Sequence, residues 1–352
     1  PLQMLVVAIG VGTGVGVNSL IARRLGEKRQ KHADSAAEHG VALAVVGGIA
    51  FFILGWGFSG VFVGAFGASE AVSAYAIQYS HLAVGMSIFV MISMMCEKIQ
   101  QSGGNMIIPM CQGLTGAIIN IILDPLMIFG IGPFPEMGIR GAALATVIGQ
   151  IFGMALGLWG VFRQQKVLNV NMREFKWRGQ TIKDIYRVGL PGIVMQSVVS
   201  VMTAGMNGIL IAFSQTAVNV LGVYFKLQTF LYLPASGIVQ GMRPILSFNY
   251  GAGEKKRMKQ ILSVCTGLIF GILMVGTALF LLLPEPIMGM FSKDGVTIRE
   301  GAAALRIISL GFVVSGISVV ASGALEALGE GIPSFIISLL RYLVLIVPPF
   351  VR

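Results

Sequence analysis

Residues 107–131 read Ile-Ile-Pro-Met-Cys-Gln-Gly-Leu-Thr-Gly-Ala-Ile-Ile-Asn-Ile-Ile-Leu-Asp-Pro-Leu-Met-Ile-Phe-Gly-Ile. Apolar side chains dominate this stretch, and Asp124 is its one charged residue. An α-helix needs about 20 predominantly apolar residues to cross the hydrocarbon core of a bilayer. The stretch is long enough, so we predict a transmembrane helix that carries a carboxylate.

The composition of the whole chain also indicates a membrane protein. Of its 352 residues, 55% are hydrophobic and 11% are charged, whereas soluble domains carry about 25% charged residues. The net charge of +10 is compatible with nucleic-acid binding. However, membrane proteins concentrate Lys and Arg in their cytoplasmic loops, and this explanation fits an apolar chain better. We therefore predict the lipid bilayer as a partner and no binding of nucleic acid.

Apolar stretches of this length recur along the chain and predict about ten transmembrane helices. If successive loops alternate between the two sides, one side holds seventeen Lys and Arg residues and the other holds three. Basic loops face the cytoplasm, which predicts a multi-pass protein of the cytoplasmic (inner or plasma) membrane. The predicted spans lie at about 1–20, 37–64, 73–96, 107–131, 140–162, 188–212, 217–246, 261–283, 301–325 and 333–351.

The longest and most charged loop divides the chain into two lobes. We predict an N-terminal lobe at 1–162, a basic cytoplasmic linker at 163–187 and a C-terminal lobe at 188–352. Each lobe then holds five of the ten predicted spans.

The two lobes share a sequence pattern. The first span ends in Gly26-Glu-Lys-Arg29 and the seventh ends in Gly253-Glu-Lys-Lys-Arg257. The following spans match in order, so spans one to four correspond to spans seven to ten. The unmatched spans predict a missing first and a missing last helix, and hence six plus six helices in the complete protein. Because both turns are cytoplasmic, we predict an all-α polytopic membrane protein built of two parallel-repeat helical bundles, related by an axis along the membrane normal.

Several motifs resemble those of one transporter family. The run Asn120-Ile-Ile-Leu-Asp-Pro-Leu-Met-Ile-Phe129 resembles the Asn-x-x-Leu-Asp-Pro-x-x-Ile-Phe signature of the MATE (multidrug and toxic compound extrusion) family. This resemblance implies a two-lobed exporter of twelve helices, without its first and last helices here. Further segments that resemble the family are Gly141–Thr146, Met195–Val198 with Met206–Gly208, Tyr224–Gln228 with Pro234, and Asn249–Gly251.

Asp124 is the strongest candidate for a functional residue. Ionisable groups inside a membrane are costly and usually functional. Asn120 lies one helical turn earlier, on the same face. A carboxylate with an amide oxygen suits a small hard cation such as Na⁺, and the carboxylate alone suits a proton. Pro125 leaves an alternative, in which Asp124 caps a half-helix that restarts at the proline.

The MATE resemblance adds to this candidate site. It implicates the positions of Asn120 and Asp124 in ion coupling, and it adds Thr146 as a further oxygen. It also implies a second acidic residue on the missing first helix. We predict no other metal site and no cofactor besides Na⁺ or H⁺ as the coupling ion.

Two further spans carry polar stripes. On the sixth span, Gln196, Ser200, Thr203 and Asn207 fall within about 60° of one another. Such a stripe faces either a water-filled cavity or another helix. Lys226 near the middle of the seventh span favours a cavity, since it is too deep to reach water along the bilayer. The remaining polar residues of that wedge are Thr229, Ser236, Gln240 and Arg243, and the methionines beside the first stripe, suited to varied apolar ligands, are Met195, Met202 and Met206.

The glycines of the first span, Gly10-Val-Gly-Thr-Gly-Val-Gly16, predict close helix packing rather than a nucleotide site, because no strand precedes them. The spans show no HExxH motif and no nucleophile beside a base, and the chain shows no Walker A motif, so we predict no enzyme. We predict an ion-coupled antiporter that exports amphipathic, often cationic small molecules by alternating access and that works as a monomer. The alternative is a lipid-intermediate flippase of the wider superfamily, for which Lys226 and Arg243 would bind phosphate.

Overall fold

The computed structural model describes residues 2–57, 59–60, 77, 79–82, 84–211 and 215–340, with the backbone alone for residues 2, 197–211 and 215–219. Every regular element in these ranges is a helix. In chain order the helices are α1 (Leu2–Gly26), α2 (Gln30–Gly57), α3 (Ser87–Ser102), α4 (Ile107–Phe129), α5 (Ile139–Trp159, extended by a π-helical turn at Gly160–Gln164), α6 (Gly179–Ile211), α7 (Gln215–Gly251), α8 (Lys255–Leu282), α9 (Pro284–Gly289), α10 (Gly295–Leu328) and α11 (Gly331–Leu340).

Each predicted span is helical over most of its described residues, but a turn at residues 84–86 interrupts the third span before α3 begins. Six helices of the described ranges, α1, α2, α4, α5, α8 and α10, are long and apolar enough to cross a membrane. Most of residues 58–83 and residues 341–351, which belong to three predicted spans, lie outside the described residues. The prediction of an all-α polytopic membrane protein is confirmed, as expected in lipid, where a helix satisfies its own backbone groups.

Several helices extend beyond the predicted spans. Helix α6 begins at Gly179 rather than near residue 188, α7 continues to Gly251 rather than 246, and α10 begins at Gly295 rather than 301. The predicted limits followed the apolar residues, which mark the edge of the bilayer. A helix does not need to stop there, because its backbone hydrogen bonds can continue past the edge of the bilayer.

The internal repeat is present, with a register that differs from the predicted one. Helix α2 (30–57) and helix α8 (255–282) both begin and end 225 residues apart. The left-handed residue before each helix follows the same spacing, at Lys28 (φ 59°) and Gly253 (φ 74°). The two Gly-Glu-Lys turns, at Gly26 and Gly253, are 227 residues apart. The match of the second span with the eighth is therefore confirmed, but the matched letters are two residues out of register, because backbone conformation and not residue identity fixes the turn.

The described chain forms two compact units, residues 1–193 and 194–352. In the first unit, α1 packs on α2 and α3, α3 packs on α5, and α4 packs on α5. In the second unit, α7, α8 and α10 pack on one another, and α11 packs on α10. The limits 163–187 of the linker between the lobes stay a prediction from the sequence.

The segment that follows α5 is bound to α2. Asp34 Oδ1 accepts a hydrogen bond from the backbone N–H of Asn169 at 3.0 Å, and Glu38 Oε1 accepts one from that of Asn171 at 3.3 Å. The buried His39 accepts a third through Nε2, from the N–H of Arg178 at 2.8 Å. These bonds attach the predicted linker to the first unit, which is why the boundary between the units lies later, inside α6.

The glycines of α1 allow close helix contacts, as predicted. A Cβ at Gly12 would lie 2.8 Å from the carbonyl oxygen of Gly189 on α6, and a Cβ at Gly16 would overlap the carbonyl oxygen of Ile185. Backbone atoms cannot move aside as a flexible side chain can. The first unit therefore depends on glycine where α1 crosses α6.

We expect Gly16→Ala to destabilise the protein by about 1–3 kcal/mol, because the added methyl group overlaps a backbone carbonyl oxygen. Gly267→Ala in α8 is the matched control, since nothing lies within 4 Å of a Cβ there. Alanine also favours a helix more than glycine does. Thermal unfolding in detergent should show a lower Tm for the first variant and an unchanged or higher Tm for the second. Equal melting temperatures for both variants would contradict the importance of this crossing.

Candidate functional site

The predicted residues of the fourth and fifth spans lie together between α4 and α5. Asn120 Nδ2 donates to Asp124 Oδ1 at 3.3 Å and to Thr146 Oγ1 at 3.3 Å. The Thr146 hydroxyl in turn donates to the carbonyl oxygen of Ala142 at 2.9 Å. We call Asn120, Asp124 and Thr146 the oxygen cluster.

Helix α4 is continuous through the oxygen cluster. Pro125 lies inside the helix, which ends at Phe129, and Gly130 adopts the left-handed conformation that follows (φ 68°). Asp124 is therefore not the cap of a half-helix, and the capping alternative is wrong. Asp124 and Asn120 are both half-buried, so the carboxylate lies on a helix side, where its charge has to be balanced by neighbouring groups.

A cavity of about 310 Å³ lies beside the oxygen cluster. It exists because α4 and α5 meet at glycines: a Cβ at Gly149 would lie 2.8 Å from the carbonyl oxygen of Gly116. Asn120 and Thr146 line the cavity, and Asp124 reaches it through its hydrogen bond with Asn120. The lining residues are Ser93, Met94, Glu97, Gln112, Gly113, Gly116, Ala117, Asn120, Thr146, Gly149, Gln150 and Gly153.

The polar lining of the cavity is rich in oxygen acceptors. Gln112 donates to the carbonyl and hydroxyl oxygens of Ser93, at 2.8 Å and 2.6 Å. The amide oxygens of Gln112 and Gln150 are buried, and no donor of the described residues reaches them. Buried acceptors without donors are uncommon and costly. This lining would bind a donor or a cation favourably.

Sequence reasoning missed Glu97. The third predicted span ends at residue 96, which leaves Glu97 outside it. The structure places it inside α3, which continues to Ser102, with its side chain on the cavity. The helix continues because polar side chains at its end bind one another: Glu97 Oε1 accepts from Lys98 Nζ at 2.9 Å and from Gln101 Nε2 at 2.8 Å. The signal in the sequence was the spacing of Ser93 and Glu97, which are one helical turn apart and so lie on the same face of α3.

The predicted substrate residues lie on two helices, mostly of the second unit. On α6, Met195 is half-buried and Gln196 is exposed. The positions of Ser200, Met202, Thr203, Met206 and Asn207 follow on the same helix, and their side chains lie outside the described residues.

The polar wedge of α7 does not form one group. Lys226 is exposed, and Thr229 donates to its own helix, to the carbonyl oxygen of Phe225 at 2.8 Å. Arg243 forms an ion pair with Glu326 of α10, with Nη2 and Oε2 2.5 Å apart. Its charge is therefore already compensated within the second unit.

Comparison with known proteins identifies the family. The MatE family model matches residues 1–126 and 191–351. The chain is 24% identical over 350 residues to the multidrug export protein MepA of Staphylococcus aureus (strain MRSA252), covering 98% of this chain and 76% of MepA. It is 24% identical over 352 residues to MepA of Staphylococcus saprophyticus, covering 99% and 77%.

Solved structures share the fold. A crystal structure of MATE in complex with MaL6 has a TM-score of 0.91 at 23% identity, over 97% of this chain and 76% of that one. An outward-facing multidrug resistance MATE family transporter of the MOP superfamily has a TM-score of 0.89 at 24% identity, over the same shares. With the family model matching most of the sequence, the chain belongs to the MATE family, whose members are multi-pass membrane transporters and not enzymes.

Proposed function

We propose that this protein is a secondary antiporter that exports small amphipathic, often cationic molecules from the cell, driven by a gradient of H⁺ or Na⁺. The observation that carries the proposal is the oxygen cluster, in which Asn120 donates to the carboxylate of Asp124 and to the hydroxyl of Thr146 beside a cavity between membrane-spanning helices. The relatives named as multidrug export proteins support the substrate class.

The oxygen cluster fits an ion that is taken up and released. A carboxylate in a medium of low dielectric constant is unfavourable unless a proton or a cation neutralises it. The donor set of carboxylate, amide and hydroxyl oxygen suits a small hard cation. As placed, Asn120 directs its nitrogen toward both partners, so Na⁺ would require the amide to turn over, whereas a proton on Asp124 would not.

Transport requires that ion binding favours one conformation over another. An ion moves an equilibrium between inward-open and outward-open states only by its difference in affinity for the two. We propose that the neutralised and the charged forms of Asp124 favour different states, and that the gradient thereby sets the direction of export.

We assign the substrate to α6 and α7. The polar stripe of Gln196, Ser200, Thr203 and Asn207, with Met195, Met202 and Met206, offers hydrogen bonds beside adaptable apolar surface. The flippase alternative needs a cationic cavity for phosphate, and the ion pair with Glu326 takes Arg243 out of that role. Export of amphipathic molecules is therefore favoured. The predicted monomer and the assignment to the cytoplasmic membrane belong to this proposal.

Asp124→Asn should reduce gradient-driven efflux at least tenfold, because an amide keeps the shape of the side chain but carries no charge that a proton or Na⁺ could neutralise. Efflux of a cationic dye from proteoliposomes, under separate Na⁺ and proton gradients, measures this. The gradient that supports export by the unchanged protein identifies the coupling ion.

Asp294→Asn is the matched control for this variant. Asp294 lies before α10 and accepts hydrogen bonds from the backbone N–H groups of Val296 and Thr297, and asparagine caps helices equally well. The Asp294→Asn variant should therefore export at the rate of the unchanged protein. Normal export by Asp124→Asn under both gradients would refute the coupling role of Asp124.

Cysteines at Gln196, Asn207 and Lys226 should react with a water-soluble thiol reagent, because polar groups that face lipid are costly. The three native cysteines, Cys96, Cys111 and Cys265, are first replaced. A cysteine at the buried Ala235 of α7 is the unreactive control. Protection of all three positions to the level of that control would show that the stripes pack against other helices.

A further inference from the structure

Glu97 shares the cavity with the oxygen cluster and has a charged partner of its own. Its side chain is 31% exposed, and that of Lys98 is 8% exposed. We propose that Glu97 is a second ion-coupling carboxylate of this transporter, which takes up a proton from the cavity while Lys98 holds it in place. This inference rests on the proposed function, and it provides within α3 a second acid for the coupling site.

The two oxygens of Glu97 have different surroundings. Lys98 Nζ and Gln101 Nε2 both donate to Oε1, at 2.9 Å and 2.8 Å. Within the described part of the chain, no donor reaches Oε2. A carboxylate bound through one oxygen keeps the other for a proton, and the lining of the cavity gives water a place from which to deliver it.

Lys98 is fixed more firmly than Glu97. Its Nζ also donates to Gln101 Oε1 at 3.1 Å, and its carbonyl oxygen accepts from Asn18 of α1 at 3.0 Å. Its stem fills the space beside Gly14 of α1, where a Cβ would lie 2.7 Å from Lys98 Cγ. A buried ammonium group needs a negative partner. Uptake of a proton by Glu97 therefore leaves the charge of Lys98 less compensated, at a point where α3 contacts α1.

The neighbouring helices present small and uncharged polar residues to the pair and to the cavity. Among the described residues, α1 presents Gly14 and Asn18 to the pair, and α4 and α5 present Gln112 and Gln150 to the cavity. The titratable residues near the start of α2, which also packs on α3, bind the segment after α5: they are Asp34, Glu38 and His39.

The second unit shows that the helix contact does not require these charges. With the spacing of 225 residues between α2 and α8, Glu97 and Lys98 correspond to Ser322 and Gly323 of α10. Ser322 forms a hydrogen bond with Ser338 of α11 at 2.8 Å. A Cβ at Gly323 would overlap the side chain of Val239, the residue that corresponds to Gly14. In the second unit the small residue is therefore on α10, whereas in the first unit it is on α1. Neither Ser322 nor Gly323 carries a charge.

The positions of α10 that correspond to Glu97 and Lys98 therefore carry neither the acid nor the base. A purely structural ion pair would be expected in both units, because the corresponding helices, α1 with α3 and α7 with α10, are in contact in both. The pair occurs in the unit whose cavity holds the oxygen cluster. This association with the cavity is what assigns Glu97 to coupling rather than to helix packing.

The test measures dye efflux from proteoliposomes between about pH 5.5 and 8.5. Glu97→Gln should lower the gradient-driven rate at least tenfold and flatten its dependence on pH. Lys98→Met removes the ammonium but keeps the stem beside Gly14, so the dependence of the rate on pH should change, because the carboxyl of Glu97 loses its charged partner. The double variant should resemble Glu97→Gln.

The matched control is the ion pair of the second unit. Arg243→Gln with Glu326→Gln removes both charges together, so that neither remains buried alone, and it should keep the pH profile of the unchanged protein. An infrared titration gives a readout that does not depend on transport. The band of a protonated carboxyl that forms on acidification should weaken in Glu97→Gln and not in the control.

Two results would overturn the inference. One is an unchanged pH profile and infrared band in Glu97→Gln while Asp124→Asn is inactive, which would leave the proposed function intact. The other is an equal change in Glu97→Gln and in the control, which would indicate a general effect of buried charges on stability. If neither the unchanged protein nor Asp124→Asn moves the dye, the proposed function itself fails.

Discussion

A charge inside a membrane protein has to be neutralised where it lies, and this constraint shapes both units of the chain. Three carboxylates of the described helices meet it in different ways. Glu326 is held by the guanidinium of Arg243 at 2.5 Å, and Glu97 has Lys98 on the adjacent position of its own helix. Within the described residues, Asp124 accepts a hydrogen bond from the amide of Asn120 alone, which makes it the group best suited to an exchangeable ion.

Glycines at the helix crossings determine where a polar cavity can form. At the crossing of α1 with α6, glycines bring the two backbones into close contact. At the crossing of α4 with α5, Gly116 and Gly149 also meet closely, but the glycines on either side leave space that larger residues would fill. The same residue type thus closes one helix interface and opens the other. The difference lies in the polar side chains around the second crossing, which need partners.

The two repeats solve the same packing problem with different residues. In the first unit, glycine on α1 accommodates the stem of a lysine from α3, and in the second unit glycine on α10 accommodates valine from α7. The glycine thus lies on one helix of the pair in the first unit and on the other helix in the second unit. Side chains are then free to differ, which explains why two related halves carry an oxygen-lined cavity in one and an interhelical ion pair in the other.

The sequence alone determined the helical membrane fold, the order of the helices, the correspondence of the two halves and the pairing of Asn120 with Asp124. These depend on hydropathy and on spacing along one helix, which are local properties of the chain. The ends of α3, α6, α7 and α10, the register of the repeat, the cavity and the position of Glu97 on it were decided by the tertiary structure. They depend on which side chains face each other across separate helices, and residues such as Gly14 and Lys98, or Gly116 and Gly149, come together only when the helices pack.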